Sequence, residues 1–318
     1  MRLLVTGGAG FIGSRFAHLA LTRDHQVTVL DALTYAGTMT NLAGIEDHAG
    51  FRFVKGDICD PDLVDEVLPG HDAVLNFAAE SHVDRSIASP ENFMHTNVLG
   101  AGVLLESARR TETGRFLQVS TDEVYGSIEI GSFAEGDRLN PSNPYSAAKA
   151  GADLLALSYV RTFGMPVVIT RSSNAFGPHQ FPEKLIPLAV TNLMDGKSVP
   201  LYGDGMNVRD WTYVDDICEA ILLVLERGEA GRIYNVAAGD ERRNADVVKA
   251  ICALAGVGED RIQAVADRPG HDRRYSIDAA AVRALGWAPS AAFGERLAET
   301  VAWYRDNRAW WEPLKARA

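Results

Sequence analysis

The sequence predicts an α/β chain, with a doubly wound parallel sheet over residues 1–175 and a smaller mixed α/β body over residues 176–318. Three observations predict it. Short apolar runs alternate with helical stretches through the first 170 residues, the rhythm of strands joined by crossover helices. A glycine-rich turn follows the first run directly and opens the first helix. Beyond residue 175 the alternation loosens into segments marked by proline and glycine.

Taken in order, Leu3–Thr6, Val27–Leu30, Phe51–Val54, Ala73–Phe77, Phe116–Ser120 and Val167–Thr170 read as buried strands. They are short and mostly apolar, as strands covered on both faces are. Helices are expected at Phe11–Leu21, Asn92–Arg110 and Tyr145–Phe163. Pro178, Pro182, Pro187 and Pro200, with Gly203 and Gly205, mark long loops. Helices resume at Val214–Arg227, Ala245–Ala255 and Phe293–Asn307. Asp215 and Asp216 fit a helix N-terminus better than a metal site.

Composition excludes several classes. The apolar fraction of 47% and charged fraction of 23% are those of a globular protein. No apolar run is long enough for a membrane span, and the N-terminus lacks a signal-peptide layout. Cys59, Cys218 and Cys252 form no paired motif, so neither a disulfide framework nor zinc is expected, and a cytoplasmic location is. A formal charge of −11 argues against nucleic acid. It does not exclude an anionic small molecule, which backbone amides and a few arginines can hold.

Thr6-Gly7-Gly8-Ala9-Gly10-Phe11-Ile12-Gly13 is the dinucleotide-binding turn of a Rossmann-type sheet. Glycines let the turn close and the backbone approach a pyrophosphate at a helix N-terminus. Asp31 ends the second strand, where a carboxylate accepts from ribose hydroxyls and repels a 2′-phosphate. The expected cofactor is therefore NAD. Tyr145-Ser146-Ala147-Ala148-Lys149 places a phenol and an ammonium one helical turn apart. A tyrosine of ordinary pKa, about 10, is a poor base at neutral pH, so neighbouring positive charge is needed to favour the phenolate. The strand ending in Val119-Ser120-Thr121 supplies hydroxyls beside it.

TGGAGFIG, YSAAK and the strand order between them resemble the extended short-chain dehydrogenase/reductase family. Ser120–Gly126 (STDEVYG), Ala78–Ser86 (AAESHVDRS), Pro182–Pro187 (PEKLIP) and Arg268–Asp272 (RPGHD) narrow it. Together they resemble the dTDP-glucose 4,6-dehydratases of deoxysugar biosynthesis, over nearly the whole chain. The resemblance implies NAD contacts at Gly7, Gly10, Phe11, Ile12 and Gly13, then at Asp31, Leu33 and Thr34. Asp57, Ile58, Phe77, Ala78, Ala79, Ser81 and Thr96 follow, with Tyr145 and Lys149. It implies nucleotide-sugar contacts, with dTDP-glucose the expected substrate, at Ser81, Thr121, Asn174, Lys184, Leu185 and Pro200. Tyr202, Arg209, Asn244, Arg268 and His271 complete that set. A homodimer through the Asn92–Arg110 and Tyr145–Phe163 helices is also implied.

The implied chemistry is demanding. Water leaves C5–C6 of a hexose readily only after C4 becomes a ketone, which acidifies the C5 proton. Tyr145 would take the C4 hydroxyl proton with Lys149 and Thr121 assisting, Glu123 would remove the C5 proton, and Asp122 would protonate the departing C6 hydroxyl. Adjacent carboxyls with opposite duties require separated pKa values. A nucleotide-sugar 4-epimerase or a decarboxylase-like relative would keep Tyr145, Lys149 and Thr121 but has no use for the acid pair. A non-catalytic NAD sensor would not need Tyr145 and Lys149 at all. Two departures stand out. Asn174-Ala175-Phe176-Gly177-Pro178 replaces the family's usual Asn-Asn-Tyr-Gly-Pro, removing an amide expected near the nicotinamide, and Thr38 replaces an asparagine.

Overall fold

The computed structural model describes residues 1–317. β1 (Arg2–Thr6), α1 (Phe11–Thr22), β2 (Gln26–Asp31), β3 (Phe51–Lys55), α2 (Pro61–Val67) and β4 (Ala73–Asn76) form the first half of the main sheet. α3 (Val83–Ala88), α4 (Pro90–Phe93), α5 (Ala101–Arg110), β5 (Arg115–Thr121), α6 (Pro144–Phe163) and β6 (Val167–Ser172) form the second. After them come β7 (Asn174–Phe176), α7 (Leu185–Met194), β8 (Val199–Tyr202), β9 (Val208–Tyr213), α8 (Val214–Arg227) and β10 (Ile233–Val236). The chain ends with β11 (Glu241–Arg243), α9 (Asn244–Leu254), β12 (Ile262–Val265), α10 (Ala280–Ala284), α11 (Phe293–Asp306) and α12 (Arg308–Lys315).

Seven strands lie in the order β10-β6-β5-β4-β1-β2-β3, with every pairing parallel. This is the doubly wound arrangement expected. Side chains alternate between two apolar layers, as the period of a strand requires. Leu3, Val5, Val27, Val29, Leu75 and Val168 pack with α1 and α8 on one face. Leu4, Leu30, Val74, Phe116 and Ile169 pack with α2, α5 and α6 on the other. The order reverses between β1 and β4, where a crevice opens at the carboxyl ends of the strands.

The helix expected over Asn92–Arg110 is interrupted. Met94–Gly100 is wound as a π-helix between α4 and α5. Gly100 meets Ile58 so closely that a Cβ there would lie 2.5 Å from the Ile58 side chain. Within the widened turn Asn97 makes both amide bonds to the Glu80 backbone, at 2.9 and 3.0 Å, fixing the loop after β4. No side-chain periodicity encodes such a bulge.

Beyond residue 175 two prolines read as loop markers lie inside elements. Pro187 occupies the first turn of α7, where a missing N–H costs nothing. Pro200 lies in β8, whose one strand partner is β12. β10 adds to the main sheet beside β6, while β7, β9 and β11 make a separate three-stranded sheet. A second core of Phe176, Trp211, Tyr213, Phe293, Tyr304 and Trp311 underlies that part.

Beneath the sheet's functional edge, Arg171 of β6 donates to Asp153 of α6 at 2.9 Å, with side chains 2% and 0% exposed. The guanidinium also covers the Tyr125 ring at 4.7 Å. Removing one partner strands a buried charge, so Asp153→Ala is expected to lower unfolding free energy by about 3–5 kcal/mol. Urea denaturation checks this; a loss below about 1 kcal/mol would mean that the pair is solvated in solution.

Candidate active site

The cleft at the β1/β4 reversal begins with the glycine turn. Gly7 has φ +67, and a Cβ there would sit 2.5 Å from the Ala78 backbone nitrogen. At Gly13 it would sit 2.4 Å from the Gly7 carbonyl oxygen. Nothing but hydrogen fits at either position, so the turn is a cradle that leaves backbone open to a bound anion at the start of α1. Asp31 is held at the rim, accepting from Ala9 N–H at 2.8 Å and Leu33 N–H at 2.7 Å. Burial raises its pKa, and these two amides oppose the rise. Its remaining lone pairs suit ribose hydroxyls. The residues present therefore fit a dinucleotide.

The cleft is lined by the expected Gly7, Gly10, Phe11, Ile12, Gly13, Asp31 and Thr34. Asp57, Ile58, Phe77, Ala78, Ala79, Ser81 and Thr96 continue the lining, and Tyr145 and Lys149 complete it. Leu33 is absent from it and acts through its backbone, with φ 54, in orienting Asp31.

At the far end, β5 delivers Thr121, whose hydroxyl accepts from Glu123 N–H at 3.3 Å and caps the tight turn Asp122–Tyr125. That turn brings both carboxyls inward. Asp122 accepts from Thr121 at 3.2 Å, leaving its other oxygen and one oxygen of Glu123 buried without partners. Burial, reinforced by the Glu123 charge, pushes Asp122 up to about 8. Asp122 is therefore protonated at neutral pH.

α6 is launched by a capping box, with Asn143 accepting from Ser146 N–H at 2.9 Å and Pro144 in its first turn. This sets Tyr145 and Lys149 on the face turned to the cleft. Burial raises the Tyr145 pKa, and the charges of Glu123 and Asp122 raise it further. The Lys149 ammonium donates to the Val119 carbonyl at 2.6 Å, and burial lowers it to about 8 against the pull of Asp153. Burial, with the neighbouring carboxylates behind it, thus keeps the Tyr145 phenol protonated, and the ammonium is engaged with backbone.

The expected substrate contacts divide. Ser81, Thr121, Asn174 and Lys184 line the cleft. The buried Lys184 ammonium donates to the Ser81 carbonyl at 2.7 Å. Leu185, Pro200, Tyr202, Arg209, Asn244, Arg268 and His271 lie outside that lining. Tyr202 donates to Asp84 at 3.1 Å, Arg268 approaches the same carboxylate at 3.5 Å, and the Tyr202 and His271 rings are 6.2 Å apart. The terminal nitrogens of Arg209 donate to the carbonyls of Val208 at 2.7 Å and Asp272 at 2.8 Å, over the Tyr275 ring.

Several lining residues were not singled out from sequence. Tyr35 donates to Glu183 at 2.9 Å, and Arg85 covers the Tyr35 ring at 3.9 Å. Glu80, Ser120 and Gln180 also face the cleft. Glu80, Ser120 and Glu183 sit in the AAESHVDRS, STDEVYG and PEKLIP runs, which offered the available signal.

Residues 4–300 match the family described as GDP-mannose 4,6 dehydratase. A dTDP-glucose 4,6-dehydratase of Streptomyces niveus is 55% identical over 99% of this chain and 96% of its own length. DesIV, the dTDP-glucose 4,6-dehydratase of Streptomyces venezuelae, solved with NAD and dTDP bound, superposes with a TM-score of 0.97. It is 52% identical, covering 99% of this chain and 100% of that one. A UDP-glucose 4-epimerase of Thermus thermophilus with NAD is more distant, at 32% identity and a TM-score of 0.87, covering 96% of this chain and 100% of its own.

The buried pair makes a spectroscopic prediction. Asp122 keeps its proton until pH rises through about 8, so the protonated-carboxyl infrared band should bleach there and be missing in Asp122→Asn. Loss of that band near pH 4, the range of an ordinary aspartate at about 3.9, would contradict the burial argument.

Proposed function

The chain belongs to the GDP-mannose 4,6 dehydratase family, and from that premise we propose that it converts dTDP-glucose to dTDP-4-keto-6-deoxyglucose. Relatives of that activity at about half identity over nearly the full chain support the substrate. The observation that carries the reaction is the Asp122–Glu123 turn, which aims two unpartnered carboxyl oxygens into the cleft that Tyr145 lines. An epimerase needs no proton donor at C6.

NAD, when bound, supplies the hydride acceptor for C4, the hydride donor for C6, and a cationic ring. Tyr145 takes the C4 hydroxyl proton, with Thr121 bonding the same oxygen. Since burial, reinforced by the acid pair, holds the phenol protonated, added positive charge in the cleft is what readies it as a base. Glu123 removes the C5 proton and gives a proton back to C5 when C6 takes the hydride. Asp122, protonated at neutral pH, gives its proton to the leaving C6 hydroxyl, which departs as water. The nucleotide is assigned to the part of residues 176–318 that does not return to the main sheet, through Asn244, Arg268 and His271. No helix among the described residues is long and apolar enough to cross a membrane, and a cytoplasmic location accords with three unpaired cysteines. Met94, Leu99, Leu154 and Phe163 are each at least half exposed on the paired helices, an apolar face that fits a homodimer.

Glu123→Gln and Asp122→Asn are expected to lower product formation by about two to four orders of magnitude. Both should retain the near-ultraviolet absorbance rise that reports C4 oxidation. Asp122→Asn should still exchange the C5 proton with deuterated solvent, and Glu123→Gln should not. Tyr145→Phe should lose every step while still binding dTDP-glucose. Near-normal turnover in both acid variants would remove the dehydratase reading. Separately, Leu154→Glu should shift sedimentation from dimer to monomer; an unchanged dimer would place the interface elsewhere.

A further inference from the structure

We propose that Gln180 holds the nicotinamide by accepting a hydrogen bond from its carboxamide N–H. The side chain is 8% exposed, lines the cleft, and the mechanism above does not use it. Its Nε2 donates to the Ala175 carbonyl at 2.9 Å, and its Oε1 is buried with no partner. The orientation of the amide is not arbitrary. Ala175 offers only an acceptor there, so the NH2 group must face it and the oxygen must face away. The backbone is pinned as well, because the buried Tyr304 hydroxyl of α11 donates to the Gln180 carbonyl. A fixed, dehydrated acceptor without a donor is costly unless a ligand supplies one.

Chemistry narrows the donor. A pyrophosphate has none to offer. The β5/β6 register pairs Thr121 with Ser172, three residues before Ala175, so Gln180 belongs to the end of the cleft where the reaction occurs. Donors available at that end are the nicotinamide carboxamide, the hydroxyls of its ribose and the hydroxyls of the sugar. The reacting sugar carbons are served by Thr121, Asp122, Glu123 and Tyr145, from β5, the turn after it and α6. Gln180 comes from the segment after β7, where its amide is bonded to Ala175, and the ring's carboxamide is the donor assigned to it, the ribose and sugar hydroxyls being the alternatives that the titration separates. The methyl of Ala175 has no polar group to compete for that N–H.

The inference rests on the dinucleotide part of the proposed function, and the test separates the two. Full-length protein stripped of dinucleotide is titrated with NAD and with 3-acetylpyridine adenine dinucleotide, whose methyl ketone lacks the N–H, following tryptophan fluorescence. Wild type should prefer NAD by about five- to tenfold, the worth of one hydrogen bond. In Gln180→Leu that preference should fall to near unity. A purely structural role would weaken both dinucleotides equally and leave the ratio unchanged, overturning the proposal. So would an unchanged ratio with a raised KM for dTDP-glucose, since Gln180 would then take a sugar hydroxyl. If Gln180→Leu does not fold, Gln180→Met serves in its place. A wild type that bound neither dinucleotide would instead overturn the proposed function.

Discussion

The alignment of three strand ends is the constraint on which the remaining site depends. Thr6 of β1 donates to Asn76 of β4 at 2.7 Å, and Asn76 donates to Gln118 of β5 at 3.0 Å. All three are buried, at 0%, 1% and 1% exposure, and they sit in register across the sheet. A buried polar ladder of this kind tolerates no slip, because each group that lost its partner would cost about 1–3 kcal/mol. One step beyond Thr6 the chain must turn hard against Phe77 and Ala78, which is why Gly7 cannot carry a side chain. Three steps beyond Gln118 the same register delivers Thr121 and the acid turn. Cofactor cradle and proton-handling groups are thus set at a fixed separation by one row of hydrogen bonds.

Desolvation then assigns the roles. Asp122, Tyr145 and Lys149 share one buried cavity, and burial is the largest influence on each. It drives all three toward their neutral forms: a protonated acid, a protonated phenol and a weakened ammonium. One of these suits the chemistry as it stands, an acid ready to donate. The other two do not, since a base must be deprotonated and a neutral lysine gives the phenolate no charge. The site is therefore incomplete electrostatically until positive charge arrives with the ligand, a coupling that restrains proton chemistry in the empty cleft.

Much of this was legible because it is local. The glycine turn, the Tyr145–Lys149 spacing and the Asp122–Glu123 dipeptide each act within a few residues, and the apolar runs located the first six strands of the main sheet. What stayed hidden depends on distant partners. The Tyr35–Glu183 bond joins residues 148 apart, and β10 returns to the sheet after three intervening strands that belong to two other sheets. The π-helical segment arises from packing against Ile58, not from propensity. Arg209, a residue type suited to diphosphate, is likewise placed by a distant partner, donating to the carbonyl of Asp272.

The longest of these connections changes how the smaller body should be understood. Asn41 donates to the carbonyl of Ala9, within the glycine turn, at 3.0 Å. Its own side-chain oxygen accepts from the indole N–H of Trp310 in α12 at 3.0 Å, across 269 residues. Trp310 in turn packs edge-on against Trp303 and His179, with centroids 5.0 and 5.2 Å away. The chain's last helix therefore buttresses the loop that cradles the dinucleotide, and α11 next to it pins Gln180 through Tyr304. The parts of the chain farthest from the glycine turn in sequence brace both ends of the cofactor cleft, so their packing and the shape of that cleft form a single cooperative unit.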